Sequence, residues 1–364
     1  MHSVPGSEPP RPRLAHFHPA LQWGVLLALS FALFCALEWV RLPAAALIGP
    51  MIAAVIVGTN GATVRVATWL FAGAQAIVGV LIAGSIELEI LRTLSEEWPL
   101  FLFGALSTVA ASSFLGWQIS RWKILPGSTA IWGSAPGAAT AMVLMAGAFG
   151  ADFRLVAFMQ YLRMMLVAIA VAVLAAFLGP TGGSGAEPFV LFMPVEWPAL
   201  GATVAVSLAG AVGGRLLRLP SPYFLGVMIL AVVMHLGFDV AFQLPPLLLM
   251  LAYALIGWSI GLNFNREVVR HAARALPQVA GSIIVLLLFC AGIGYALSRL
   301  LGIDFLTALL ATSPGGMDAV AIIAAASSSV NVSFIMAMQM ARFLFVLLFG
   351  PMIARALART TRGE

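Results

Sequence analysis

Asp318 is the one acidic side chain that lies deep inside an apolar segment of this sequence. Placing a carboxylate inside a bilayer costs at least ~2.5 kcal/mol on insertion scales, so such a residue is expected to serve a function. It could bind a proton or Na⁺. The structural alternative is an ion pair with Arg163 or Arg342, which also lie inside apolar segments. Both roles could hold together.

Arg163 and Arg342 follow Gln160 and Gln339 by three residues, so each Gln and Arg share one helix face. Each arginine lies roughly 15 Å deep in its segment, at about 1.5 Å per residue. A long side chain does not easily reach water from that depth, so we expect both to face the protein interior. A guanidinium there suits a carboxylate or phosphate. The alternatives are that it binds backbone carbonyls of a broken helix or neutralises Asp318.

Two apolar segments contain a helix-breaking turn, Ser134-Ala135-Pro136-Gly137 and Thr312-Ser313-Pro314-Gly315. Proline removes a backbone donor, and glycine lets the chain reverse. Non-helical backbone at this depth is tolerated only where it is buried in protein or lines a watery cavity. The candidate substrate- or ion-binding residues are therefore Ser134, Pro136, Gly137, Thr140, Gln160, Arg163, Thr312, Ser313, Pro314, Gly315, Asp318, Gln339 and Arg342.

The composition requires a membrane protein around these residues. Of the 364 residues 62% are hydrophobic and 9% are charged, and the apolar blocks are about 20 residues long, enough to cross ~30 Å of hydrocarbon. The net charge of +5 does not indicate nucleic acid, because only one of 19 basic residues is lysine and most lie at segment ends, as topology signals do. No histidine or acidic cluster has metal-ligand spacing, and no GxxxxGK[ST] loop occurs. We therefore expect no enzyme, no cofactor and no metal.

The second half of the chain repeats the first. Twelve apolar segments lie at roughly 19–39, 43–59, 68–86, 98–119, 125–149, 155–178, 197–214, 221–238, 245–262, 275–298, 305–328 and 332–354. The stretches Arg41-Leu42-Pro43, Gly49-Pro50-Met51 and Ser134 to Gly137, and the pair Gln160 and Arg163, recur at offsets of 177 to 179 residues. Four ordered matches at one offset indicate an internal duplication. In this register Thr140 is the counterpart of Asp318.

The loop charges favour five spans per repeat. If all twelve segments crossed with the N-terminus inside, nine loop or tail Lys/Arg would fall inside and eight outside. If the two broken segments enter and return, fourteen fall inside and three, Arg41, Arg92 and Arg299, fall outside. The positive-inside rule therefore favours re-entrant segments and inverted repeats. A proline kink in an ordinary span is the alternative. A variant in which another segment, such as 43–59, fails to cross also gives inverted repeats.

The predicted fold is thus an all-α polytopic membrane protein with two inverted repeats, each of about five spans plus one broken or re-entrant segment with a Pro-Gly tip. We expect a polar cytoplasmic tail at 1–18, repeat 1 at 19–178, an external linker at 179–196, repeat 2 at 197–357 and a cytoplasmic tail at 358–364. The two tips are expected to meet near the bilayer midplane, as in many secondary transporters.

The duplicated Ser-Ala-Pro-Gly and Ser-Pro-Gly-Gly-Met-Asp motifs, each followed about two dozen residues later by Gln-x-x-Arg, resemble the membrane AbrB family, also labelled ammonia monooxygenase. The resemblance covers nearly everything after the tail and implies a duplicated bacterial inner-membrane protein. It supplies no substrate. The paired re-entrant loops are also similar to those of glutamate and citrate carriers, which is an analogy of fold.

Three functions remain open. The first is a secondary transporter for a small solute, which could be an anion, coupled to H⁺ or Na⁺. The second is a membrane protein that regulates gene expression indirectly, and the third a membrane oxidase, against which the missing ligand cluster argues. The expected partners are the lipid bilayer and a small molecule or ion; no nucleic acid is expected, and a homodimer is left open.

Overall fold

The computed structural model describes residues 14, 17–40, 42, 44–84, 86, 98–122, 125, 128–135, 142, 146, 150–178, 196–219, 221–264, 266–273, 275–327 and 330–361. These residues form helices, and no strand occurs among them. The helices are α1 Pro19–Trp39, α2 Ala45–Thr59, α3 Thr68–Ala83, α4 Trp98–Arg121, α5 Thr129–Ser134, α6 Phe153–Leu178, α7 Trp197–Leu216, α8 Val227–Phe238, α9 Pro246–Gly261, α10 Arg266–Ala272, α11 Leu276–Leu301, α12 Phe305–Thr312, α13 Met317–Ala325 and α14 Val332–Thr361. A π-helical turn, Pro222–Gly226, leads into α8.

Membrane-crossing length is common among these helices. In the described part of the chain, α1, α4, α6, α7 and α11 are each long and apolar enough to cross a membrane. Shorter apolar helices are α2, α3, α9, the π turn with α8, and the first part of α14. This confirms the all-helical membrane class. The sequence did not predict the short helix α10 or the π turn.

Several helix starts follow from their first residues. Proline occupies the first turn of α1, α7, α9 and α11, where its missing N–H is not needed. The Asp152 carboxylate accepts from the backbone N–H groups of Arg154 and Leu155 at the start of α6. The Asn331 side chain accepts from Phe334 N at the start of α14, at the equivalent position. Such caps satisfy backbone donors that have no partner within the helix.

Backbone conformations and contacts recur at the spacing seen in the sequence. Ala44 and Ser221, 177 residues apart, precede α2 and the π turn, and both have left-handed backbone, with φ of 59° and 55°. A Cβ at Gly79 would lie 2.9 Å from the carbonyl oxygen of Phe224. A Cβ at Gly257, 178 residues later, would lie 2.5 Å from that of Leu47. Both glycines therefore permit backbone-to-backbone packing of the kind that small residues allow in membrane helices.

These contacts interlock the two halves of the chain. Helix α2 packs on α9, and α3 packs on the π turn and α8. Helix α4 packs on α14, and α6 packs on α11. In each case an element from one half pairs with an element from the other, and the second pair is the equivalent of the first. The largest hydrophobic cluster in the described part of the chain consequently contains residues of both halves.

The second broken segment is two short helices. The sequence predicted one interrupted segment at 305–328; in the structure α12 ends at Thr312, residues 313–316 are non-helical and α13 begins at Met317. In the first half, α5 ends at Ser134 and its cap residue is Ala135, whereas Pro136, Gly137 and Thr140 lie outside the described residues.

Candidate functional site

A glutamine and an arginine of α14 bind the broken end of α12. The side-chain Nε2 of Gln339 donates to the carbonyl oxygens of Leu310, at 2.8 Å, and Ser313, at 3.1 Å. Arg342 Nη1 donates to the Ser313 carbonyl, and Nη2 donates to the Gly315 carbonyl at 3.2 Å. Arg342 Nη2 also donates to Gln339 Oε1 at 2.5 Å. The pair thus satisfies carbonyls that lose their helical partners at the break.

The first half of the chain repeats this arrangement. Gln160 Nε2 donates to the carbonyl oxygens of Trp132, at 3.1 Å, and Ala135, at 2.9 Å. Arg163 Nη1 donates to the carbonyls of Ser134, at 3.0 Å, and Ala135, at 3.3 Å. Arg163 Nη2 donates to Gln160 Oε1 at 2.7 Å. Of the roles open from the sequence, both arginines therefore perform the binding of broken-helix carbonyls.

The positive charges of the two arginines lie beside the C-terminal ends of helices. A helix C-terminus carries roughly half a negative charge, so a cation there is favourable. Arg163 and Arg342 are buried, at 4% and 8% exposure. Within the described residues neither has a carboxylate partner, and the two guanidinium groups interact electrostatically with each other. Two helix C-termini offset only about half of two guanidinium charges, so the region between them retains positive charge.

The two ends of each broken segment lie side by side. The backbone N–H of Asn331, after α13, donates to Thr307 Oγ1 near the start of α12, at 3.1 Å. The N–H of Asp152 donates to Thr129 Oγ1, at the start of α5, also at 3.1 Å. The contact is again equivalent in the two halves. Thr129 therefore lies next to Asp152, and Thr307 lies next to Asn331.

Both breaks contact the middle of α6. Arg163 binds the first break, as described. In the second break, Cβ atoms at Gly315 and Gly316 would lie 3.2 Å from a side-chain methyl of Val167 and 3.6 Å from the side chain of Met164. These positions fall within about one turn of Arg163. The two interrupted backbones are thus brought together on one stretch of helix.

Asp318 lies in the first turn of α13, beside the second break. It is half-buried, and its Oδ2 accepts from Gln75 Nε2 of α3 at 3.1 Å. The same Nε2 donates to Ser221 Oγ at 3.3 Å. A carboxylate near a helix N-terminus is electrostatically favourable. In the described part of the protein Asp318 pairs with Gln75 and with neither arginine, so the alternative of an ion pair with Arg163 or Arg342 is not observed there.

A small cavity of about 20 Å³ borders the first break. It is lined by Arg163, Ser112, Ser134 and Ser282 together with apolar side chains. The Nε–H of Arg163 is buried without a hydrogen-bond partner. A cavity of this size holds about one water, so a water or another small polar ligand has both room and a donor here. Among the described residues no group of His, Cys, Asp or Glu could hold a metal ion.

The remaining candidates have local roles. Thr312 Oγ1 donates to the carbonyls of Cys290 and Ala308, at 3.0 and 2.9 Å, and Ser313 Oγ donates to the Leu310 carbonyl at 2.9 Å. Pro314 is buried in the break. Sequence reasoning missed Gln75 and Ser221. The sequence signal for Gln75 was a single amide in the middle of an apolar helix, and an ordinary buried glutamine gives the same signal.

The chain is similar over most of its length to proteins of a known family. The family profile described as "Transition state regulatory protein AbrB" matches residues 47–358. The chain belongs to the AbrB family. A relative from Escherichia coli strain K12, named "Putative regulator AbrB", is 46% identical over 338 residues, which cover 93% of this chain and 97% of the relative. "Uncharacterized protein YhjN" of Bacillus subtilis strain 168 is 23% identical over 311 residues, covering 79% of this chain and 78% of that protein. The resemblance to the AbrB family is thereby confirmed.

The Gln–Arg pair of this AbrB-family chain generates a stability prediction. Replacing Gln339 with Leu removes one donor from the Leu310 and Ser313 carbonyls and removes the Oε1 acceptor of Arg342, so that an N–H of the buried guanidinium is left unsatisfied. Each buried polar group left unsatisfied costs about 1–3 kcal/mol. We expect Gln339→Leu, and Gln160→Leu equally, to lower the melting temperature of the purified protein by several degrees. The control is Gln118→Leu, because half-buried Gln118 makes no side-chain hydrogen bond in the described region. Equal melting temperatures for Gln339→Leu and Gln118→Leu would contradict the assigned role.

Proposed function

We propose that this chain is a secondary transporter for a small anionic solute, coupled to H⁺ or Na⁺. The observation that carries the proposal is the pair of equivalent helix breaks, each bound by a buried Gln–Arg pair, that meet on α6. Broken helices whose ends face each other inside the membrane are a common way to build a substrate site in transporters. The chain would act without enzymatic chemistry and without a cofactor.

A re-entrant path for the second break is supported by length. Helices α12 and α13 have 8 and 9 residues. If they formed one crossing, Ala325 would lie about 25 Å from the level of Thr307, at about 1.5 Å per helical residue plus the break. The link from Ala325 to Asn331 spans at most roughly 20 Å when fully extended, yet Asn331 binds Thr307. We therefore infer a hairpin with Pro314-Gly315 at its tip.

Inverted repeats follow from the count of spans. Apart from the two hairpins, the described part offers α1, α2, α3, α4 and α6 in the first half and α7, the π turn with α8, α9, α11 and α14 in the second. Each half then crosses five times, and an odd number inverts the second half. One hairpin would enter from each side of the membrane.

An anion is favoured over a cation as the solute. Arg163 and Arg342 leave uncompensated positive charge beside the breaks, and Arg163 keeps a free Nε–H beside a cavity. A guanidinium pairs well with carboxylate or phosphate oxygens. Only part of each guanidinium is occupied by carbonyls, so a solute could share the remaining positive field.

Asp318 is our candidate for the residue that binds the coupling ion. It lies three residues beyond Gly315, whose carbonyl binds Arg342. An ionised carboxylate so close to the break would repel an anionic solute. Binding of H⁺ or Na⁺ to Asp318 removes that repulsion, which couples the two ligands thermodynamically.

Regulation of gene expression is the second candidate, because the relative from Escherichia coli is named a regulator. Any such effect of this chain would be indirect, through a solute that it moves. Uptake by purified protein in liposomes separates the two: a pure regulator would move no solute. A membrane oxidase is disfavoured by the donor set around the breaks, where arginine, amide and hydroxyl groups stand in place of metal ligands.

We place the chain in a bacterial inner membrane with both termini cytoplasmic and the linker 179–196 outside, on the charge distribution of the loops. Single cysteines at Ser184 and Thr361, in a variant lacking Cys35 and Cys290, test this orientation. An impermeant maleimide added to cells with a permeabilised outer membrane should label position 184 and leave position 361 unlabelled. The reverse labelling pattern would rule out this topology.

The transport proposal predicts that Asp318→Asn separates exchange from accumulation. Asn retains the shape but cannot ionise. A thermal-shift screen of small carboxylates, phosphate and sulfate would first identify a solute that binds the purified protein. In liposomes we expect Asp318→Asn to lose gradient-driven uptake at least tenfold while keeping solute-for-solute exchange. Asp239→Asn, at an exposed loop position, is the control and should keep both. Normal gradient-driven uptake by Asp318→Asn would remove Asp318 from coupling, and uptake of no solute by the wild type would contradict the transporter.

A further inference from the structure

Asp318, Gln75 and Ser221 come from three separate elements and meet at one point. Gln75 lies in the middle of α3 and is 8% exposed. Its Nε2 donates to Asp318 Oδ2 at 3.1 Å and to Ser221 Oγ at 3.3 Å. Because an amide nitrogen carries two hydrogens, one Nε2 can serve both acceptors. The amide therefore joins α3, in the first half, to α13 and the π turn, in the second.

This cluster departs from the repeat at all three positions. At the repeat spacing, Gln75 corresponds to Tyr253, Asp318 to Thr140 and Ser221 to Ala44. The Gln–Arg pairs, in contrast, are identical in both halves. These three side chains bind one another, and at each of the three positions the other half of the chain has a different residue. The cluster therefore indicates a function that the duplicated framework does not itself require.

We propose that Gln75 and Ser221 complete a proton-binding site at Asp318, with the Gln75 amide turning over when the proton binds. The inference rests on the proposed transport function, because it names the coupling ion. A bare carboxylate only accepts hydrogen bonds, and Nε2 donates to it in the structure. When a proton adds to a carboxylate oxygen, the new O–H must donate. A half-turn of the amide presents Oε1 to it, so that the O–H donates where Nε2 donated before, and no covalent bond is broken.

Ser221 makes this half-turn of the Gln75 amide possible. Its hydroxyl accepts from Nε2 in the structure and can instead donate to Oε1, because a hydroxyl has both capacities. The residue has left-handed backbone at the entrance to a π turn, and π turns are frequent at functional sites. Asp318 thereby keeps a hydrogen bond to Gln75 in both protonation states, and Ser221 keeps one to the same amide.

A proton fits this site better than a metal cation. The described side chains offer four oxygens here, two from Asp318 and one each from Gln75 and Ser221. A hard cation such as Ca²⁺ takes roughly six to eight oxygen ligands, more than these side chains supply, whereas a proton needs one acceptor. Among the described residues no cation pairs with Asp318. Titratable groups on the elements packed against α13 include Tyr161 and Arg163 of α6, Tyr253 of α9 and Arg342 of α14, and none of these four hydrogen-bonds to Asp318.

Infrared difference spectroscopy on the purified protein in lipid tests the site without any solute. Acidification should produce a carboxylic-acid C=O band that shifts in D₂O and is absent in Asp318→Asn. In Gln75→Met, which keeps the side-chain length but lacks the amide, the band should move to higher frequency because the O–H loses its acceptor. Ser221→Ala should produce a smaller shift in the same direction. Gln118→Leu is the control and should leave the band unchanged.

Two outcomes would overturn the site. One is an Asp318 band that Gln75→Met leaves unmoved, or no such band in the wild type. The other is loss of the band when Na⁺ replaces N-methylglucamine at fixed pH, which would assign the site to Na⁺. If Gln75→Met does not fold, Gln75→Asn keeps the amide but shortens its reach and gives the same comparison. Because no solute is present, the band tests this site even if liposome uptake fails.

Discussion

An interrupted helix inside a membrane must find partners for its freed carbonyls, and the Gln–Arg pairs meet that requirement in this protein. Water is absent from the hydrocarbon core, so each unsatisfied backbone group there would cost several kcal/mol. Gln160 and Arg163 bind the end of α5, and Gln339 and Arg342 bind the end of α12. These side chains therefore stabilise both breaks. The rest of the arrangement, from the packing of α12 beside α14 to the meeting of the breaks on α6, depends on them.

The charges of the site follow from the same contacts. Each guanidinium lies at a helix C-terminus and Asp318 lies at a helix N-terminus, so every charge is opposite in sign to the helix end beside it. The cations are nevertheless only partly offset, and the carboxylate is held by a neutral amide. A site built in this way has positive charge to offer a solute and a carboxylate that can change charge state without breaking an ion pair. Those two properties are what coupled anion transport requires.

Much of this arrangement could be predicted from residue types and spacing. The membrane class follows from composition, the breaks from Pro136 and Pro314, and the shared face of Gln339 and Arg342 from their spacing of three. The choice between solute and carbonyl as the arginine's partner could not be made, because it depends on how closely α12 packs against α14. Gln75 was missed for a similar reason. A single amide in an apolar helix has no pattern, and its partner Asp318 is 243 residues away.

The central claim is that the second break reaches the middle of α6, where the first break is held. Disulfide formation between single cysteines measures this directly, in a variant lacking Cys35 and Cys290. Gly316 lies against Met164, so Met164→Cys with Gly316→Cys should cross-link rapidly under mild oxidation. The pair Phe177→Cys with Gly316→Cys, at the far end of α6, should not. Cross-linking of Gly316→Cys to Phe177→Cys in preference to Met164→Cys would place the break away from the site and contradict the account.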